Sequence, residues 1–131
     1  MEKIIICFKL VFAWLFSLLT FIWGGFDTIF IVLLCLMAID YISGVLSAIK
    51  TKSLSSRAGF SGLLKKIGIL CIVALSHFIA KTIPMPEIRP LVIGFYIANE
   101  GISILENAGS IGVPLPEKLI SVLQQLNKEQ K

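Results

Sequence analysis

Four stretches of the chain are apolar almost without interruption, and none shows the in–out alternation of a strand. They cover about 10–26, 28–49, 67–83 and 91–105, the first extendable to residue 4 if Lys9 draws its ammonium to an interface. The second stretch, at ~1.5 Å of rise per residue, comfortably crosses a ~30 Å hydrocarbon core. The third is close to the short limit, and the fourth is shorter still and broken by Asn99 and Glu100. In hydrocarbon the backbone must satisfy its own hydrogen bonds, so continuous runs predict helices, whereas a barrel needs alternation. The expectation is an all-α integral membrane protein forming a single membrane domain over 1–131, with four transmembrane helices or, alternatively, three.

The punctuation fits hairpins. Gly24, Gly25 and Phe26 form a very short turn, and Asp27 is placed to cap the second span through its side chain. Residues 50–66 turn polar and basic, as a cytoplasmic loop or as an interfacial segment starting at Ser55 or Ser56. In the interfacial form Phe60, Leu63 and Leu64 face lipid, and Arg57, Lys65 and Lys66 reach headgroups. Pro84, Pro86 and Pro90 stiffen the next turn, and Gly109 and Gly112 end the fourth helix. Over 117–128, Leu119, Ile120, Leu123 and Leu126 share a face opposite Lys118, Ser121, Gln125 and Lys128, predicting a short amphipathic helix on the inner surface or against a neighbour.

Basic residues arbitrate between three spans and four. With four spans and a cytoplasmic start, the inner side holds Lys3, Lys9, Lys50, Lys52, Arg57, Lys65, Lys66, Lys118, Lys128 and Lys131, against Lys81 and Arg89 outside. Three spans would move the last three lysines outside and blunt this bias. The positive-inside rule therefore favours four spans with both termini in the cytoplasm.

Composition agrees, with 56% hydrophobic and 15% charged residues. The net charge of +4 reads as topology, with Lys50, Lys52, Arg57, Lys65 and Lys66 as a basic surface toward anionic lipid. No aromatics interleave these cations as a nucleic-acid surface would require. The amino-terminal stretch lacks a small-residue cleavage site and is expected to stay attached. Cys7, Cys35 and Cys71 are odd in number, lie in apolar surroundings and lack metal-ligand spacing, so no metal or cofactor is expected.

Against this background the buried polar residues stand out. Asp40, Ser43, Gly44 and Ser47 lie on one helical stripe of the second span, and Gly44 with Ala48 has the spacing that admits another helix closely. Asn99 and Ser103 share a face of the fourth span, Glu100 and Ser103 can also meet, and His77 lies one turn from Lys81 in the third. From the predicted span limits, Asp40, His77 and Glu100 each fall within roughly 3 Å of a span midpoint. Two readings follow: a midplane network of Asp40, His77, Asn99 and Glu100 that joins helices and lines a hydrated lumen, or static polar glue at ~0.6 kcal/mol per hydrogen bond. Intramembrane hydrolysis is disfavoured: one histidine and no activated nucleophile leave little for catalysis. A small ion or solute channel, or an accessory subunit of a transporter, would use the same polar residues.

The stretches Ile39-Asp40-Tyr41-Ile42-Ser43-Gly44 with Ala48, Leu54-Ser55-Ser56, Gly59-Phe60-Ser61-Gly62 and Lys65-Lys66 are followed by Asn99-Glu100-Gly101-Ile102-Ser103-Ile104, Glu106-Asn107-Ala108 and Gly112-Val113-Pro114-Leu115-Pro116. Their order and spacing, over roughly 37–119, resemble the phage-lysis and toxin-secretion holin family of phages and Gram-positive bacteria. The resemblance implies a non-enzymatic protein that accumulates in the inner membrane, oligomerises with copies of itself and opens lesions. An endolysin or large toxin would be released as cargo rather than bound. Many holins also make a longer inhibitory form from a nearby second start, but here the next methionine after Met1 is Met37, inside a span. Inhibition, if any, would need another protein, an antiholin, and the chain could itself be such a regulator.

Overall fold

The computed structural model describes residues 1–129; Lys131 and the side chain of Leu126, both invoked above, lie outside the described residues. Five helices follow one another: α1 Glu2–Trp23, α2 Thr28–Lys50, α3 Ser56–Thr82, α4 Ile88–Ile111 and α5 Glu117–Glu129. The first four are each long and apolar enough to cross a bilayer. The short turns after α1 and α3 lie at one end of the bundle, the turn end. The α2–α3 and α4–α5 connections lie at the other, the tail end.

Local chemistry sets the helix limits. Gly24 takes a left-handed conformation at φ 83°, and its N–H donates to the Thr20 carbonyl, closing α1. Asp27 occupies the N-cap of α2 without a side-chain capping bond. Ser55 caps α3 by accepting from the Ala58 N–H at 3.1 Å, so α3 starts eleven residues before the span expected at 67. The basic segment 50–66 is thereby mostly helix, and residues 51–55 alone connect α2 to α3. At ~1.5 Å per residue α3 is ~40 Å long, more than hydrocarbon requires, which leaves Arg57 and exposed Phe60 near an interface. Pro90 sits in the first turn of α4, where its missing N–H costs little. Gly112 at φ 104° ends that helix, while Gly109 stays inside it.

Helix α4 is central: α2, α3 and α5 all pack on it. Phe30, Leu33 and Met37 of α2, Val73 of α3 and Ile93 of α4 make the apolar core toward the turn end, with Trp23 and Phe26 packed against it. Helix α1 approaches α3 through its last turns, where the Trp23 indole N–H donates to the Leu70 carbonyl at 2.9 Å. None of its residues is buried, and its first seventeen are exposed. Such a surface suits lipid.

Candidate functional site

Toward the tail end from the apolar core, three charged side chains converge from three helices. Lys66 of α3 donates from Nζ to Asp40 Oδ2 of α2 at 2.7 Å and to Glu100 Oε2 of α4 at 2.9 Å. The side chains are 14%, 14% and 6% exposed for Lys66, Asp40 and Glu100, so water screens this group weakly. Asn107 of α4 extends the cluster: its Nδ2 donates to Asp40 Oδ1 at 3.0 Å, and the Asp40 carbonyl and Ser43 Oγ also lie within hydrogen-bond distance. Ser43 Oγ donates in turn to the Asp40 carbonyl. Gly44 lies beside the cluster, where a Cβ would make ordinary contact with Asn107 Nδ2 at 3.6 Å.

The cluster is near mid-depth. Asp40 and Glu100 fall within one residue of the midpoints of α2 and α4, and Lys66 is three residues, about 4.5 Å, from that of α3. With both carboxylates ionised, one ammonium against two anions leaves one net negative charge. Beside it an open cleft of about 250 Å³ separates α2 from α3, lined by Tyr41, Gly44 and Ala48 on one side and Ala58, Gly59 and Gly62 on the other. Asp40, Lys66, Ser103 and Asn107 line the same cleft. Small side chains on both walls keep it open, and Tyr41 reaches across so closely that a Cβ at Gly59 would be 3.3 Å from its hydroxyl.

The structure thus joins Asp40, Ser43, Gly44, Glu100 and Ser103, and separates others expected with them. His77 is displaced because α3 begins at Ser56 rather than at 67, which moves the helix midpoint and leaves His77 about 12 Å from it, toward the turn end. There it is 92% buried against the α1–α2 turn: a Cβ on Gly24 would sit 2.5 Å from His77 Nδ1. Asn99 is half-buried and makes no side-chain hydrogen bond among the described residues, and Ser47 is half-buried a turn beyond Gly44. Among the basic residues, Lys52, Arg57 and Lys65 are exposed, while Lys50 Nζ donates to the Ile111 carbonyl at the end of α4. Lys66 departs from the expectation of a headgroup contact. The earlier start of α3 makes it a mid-depth residue of a spanning helix, and its ammonium turns inward to the two acids.

Sequence reasoning missed the pairing of Lys66 and the role of Asn107. One signal was available for Lys66: two carboxylates at bilayer depth require a cation, and it is the lysine nearest the third apolar run. Asn107 lay beyond the predicted end of the fourth span at 105. A further motif at the turn end was also unforeseen. Arg89 donates from Nη1 and Nη2 to Asp27 Oδ2 and Oδ1 at 2.8 and 2.9 Å, from Nε to the Trp23 carbonyl and from Nη2 to the Gly25 carbonyl. It thus fastens the α1–α2 turn to α4. Its hydrogen bonds hold the Asp27 carboxyl below the ordinary value of 3.8. No three His, Cys, Asp or Glu side chains gather as a metal site would need among the described residues.

Comparison with known proteins places these features in context. The model of the bacteriophage holin family matches residues 17–128. An uncharacterized protein of Clostridium perfringens strain 13 is 41% identical over 98% of this chain and 97% of its own length. An uncharacterized 14.9 kDa protein from the nagH 3′ region of Clostridium perfringens is 40% identical over 98% and 99%. The uncharacterized protein YtkC of Bacillus subtilis is 37% identical over 85% of this chain and 84% of its own. No solved structure gives a significant match.

Proposed function

Because the chain belongs to the bacteriophage holin family, whose members are non-enzymatic membrane proteins, we propose that it acts as a holin: copies accumulate in the cytoplasmic membrane, associate and open lesions that release an endolysin or a large toxin. Both termini face the cytoplasm in this reading, as the distribution of basic residues favours. The observation that carries it is the Asp40–Lys66–Glu100 group, two carboxyl groups gathered on one ammonium near mid-depth beside an open cleft. Ions in hydrocarbon are costly unless they pair or meet water. While copies are dilute, the three helices of one protomer pair these groups internally; when crowded, the groups exchange partners between protomers and the seam wets. Protein density is then a sufficient trigger.

The test is expression with a cytoplasmic muralytic enzyme, following turbidity, membrane potential and enzyme release. Release supports the holin. Selective ion conductance without release marks a small channel, and harmless expression that delays another holin's lysis marks an antiholin. Asp40→Leu and Glu100→Leu are expected to shift or abolish lysis at matched membrane levels. Wild-type timing in both would remove the cluster from the mechanism.

A further inference from the structure

Helix α5 presents a physical conflict. It returns along α4 in antiparallel fashion: Leu115 Cδ1 lies 3.4 Å from where a Gly109 Cβ would be, and Leu123 Cδ1 lies 3.2 Å from the corresponding point on Gly101. Gly101 is within two residues, ~3 Å, of the midpoint of α4. The middle of α5 is therefore at the depth of the Glu100 carboxylate. Five residues farther, ~7.5 Å of rise carries Lys128 past that level. Yet the outer face of α5 is not uniformly apolar. Leu123 and Ile120 are half-buried on the α4 side, while Lys118, Ser121 and Lys128 are exposed on the opposite side, with exposed Leu119 and Val122 beside them.

A lysine in mid-bilayer hydrocarbon is strongly disfavoured, and a side chain near the middle of the bilayer is too short to snorkel to the interface. The docked position of α5 is stable where its outer face meets water. Where lipid surrounds the protomer, the amphipathic helix belongs instead on the membrane surface, with its apolar face in the headgroup boundary. The 112–116 connection, with Gly112 in the left-handed region and Pro114 and Pro116 beyond it, separates the helical hydrogen bonding of α4 from that of α5, so moving α5 would break neither helix.

We propose that α5 is the lumen wall of the assembled lesion: in dispersed protomers it rests on the membrane surface, and on assembly it docks on α4 at Gly101 and Gly109, turning Lys118, Ser121 and Lys128 to water. This rests on the lesion-forming reading above and adds which element lines the opening. The fit is steric as well as electrostatic. A Cβ at Gly101 would lie 3.2 and 3.3 Å from the two Leu123 methyls, so the bare glycine gives Leu123 its seat on α4.

The experiment uses the full chain with Cys7, Cys35 and Cys71 replaced by alanine, in dye-loaded vesicles of phosphatidylethanolamine and phosphatidylglycerol. Gly101→Cys and Leu123→Cys are introduced together, and bridging under mild oxidation is scored on gels. Bridging should increase with protein-to-lipid ratio, the bridged protein should leak dye faster than its reduced form, and Ser121→Leu with Lys128→Leu should slow leakage about tenfold at equal incorporation. Density-independent bridging, absence of bridging, slower leakage when bridged, or unaltered leakage in the Ser121/Lys128 variant would each overturn the inference. A parent that never leaks, yet bridges more as density rises, would count against the lesion-forming reading while leaving the docking of α5 intact.

Discussion

Replacing Lys66 with methionine is the sharpest perturbation of the cluster, because methionine keeps most of the volume and removes the one cation. In the native protein the ammonium makes contacts of 2.7 and 2.9 Å to two carboxylates that are 14% and 6% exposed. If these were ordinary membrane hydrogen bonds, at ~0.6 kcal/mol each, their loss would amount to about 1 kcal/mol. Removing one member of a buried ionic group instead strands its partners, at about 3–5 kcal/mol. The two accounts are far enough apart to measure. Reversible unfolding in mixed micelles, followed by circular dichroism, should place Lys66→Met about 3 kcal/mol or more below the parent. A combined Asp40→Leu, Lys66→Leu, Glu100→Leu variant should recover most of that loss, because apolar replacement of a whole buried ionic group is often neutral. A Lys66→Met protein within ~1 kcal/mol of the parent would refute the argument that the charges depend on one another.

Three further outcomes are expected. Asn107→Leu leaves Asp40 Oδ1 and Ser43 Oγ without their shared donor, so it should lower stability by about 1–3 kcal/mol in the same unfolding assay. Gly24→Ala forces a side chain into φ 83° and onto His77 and Arg89 Nε, at a cost of about 1–3 kcal/mol; adding His77→Ala should remove the tightest contacts but neither the Arg89 contact nor the backbone strain, so thermal melts should show partial recovery. Asp27 has a folded pKa held below 3.8 by Arg89, so its contribution is complete above that value and is lost as pH falls through the lowered one. Acid titration of stability should therefore be flatter below pH 3.8 in Asp27→Asn, by less than about 1 kcal/mol because the carboxylate is half exposed.

The apolar runs and their glycine and proline boundaries were enough to read four spanning helices and an amphipathic tail, since in hydrocarbon a continuous apolar segment has few conformational choices. The acids Asp40 and Glu100 were legible for the same reason: a carboxylate inside such a run is conspicuous. Hydropathy was less informative about where α3 begins. Its first turns are polar, and their helicity depends on the Ser55 cap, so Lys66 read as a loop cation and His77 as a midplane residue. The partner of each charge is a matter of helix rotation and axial offset. Lys66 is 26 residues from Asp40 and 34 from Glu100, and only packing around α4 brings the three together.

The linear order of residues therefore determined which segments are long and apolar enough to span a bilayer and which polar groups would be expensive there, because transfer free energies act largely on each segment alone. Tertiary structure decided that the two acids share Lys66, that His77 belongs to the α1–α2 turn, that Arg89 fastens that turn to α4, and that α5 lies at the depth of Glu100. Two of these relations involve close approach, of His77 at Gly24 and of Leu123 at Gly101, where the absence of a side chain matters only once a neighbour from another helix arrives.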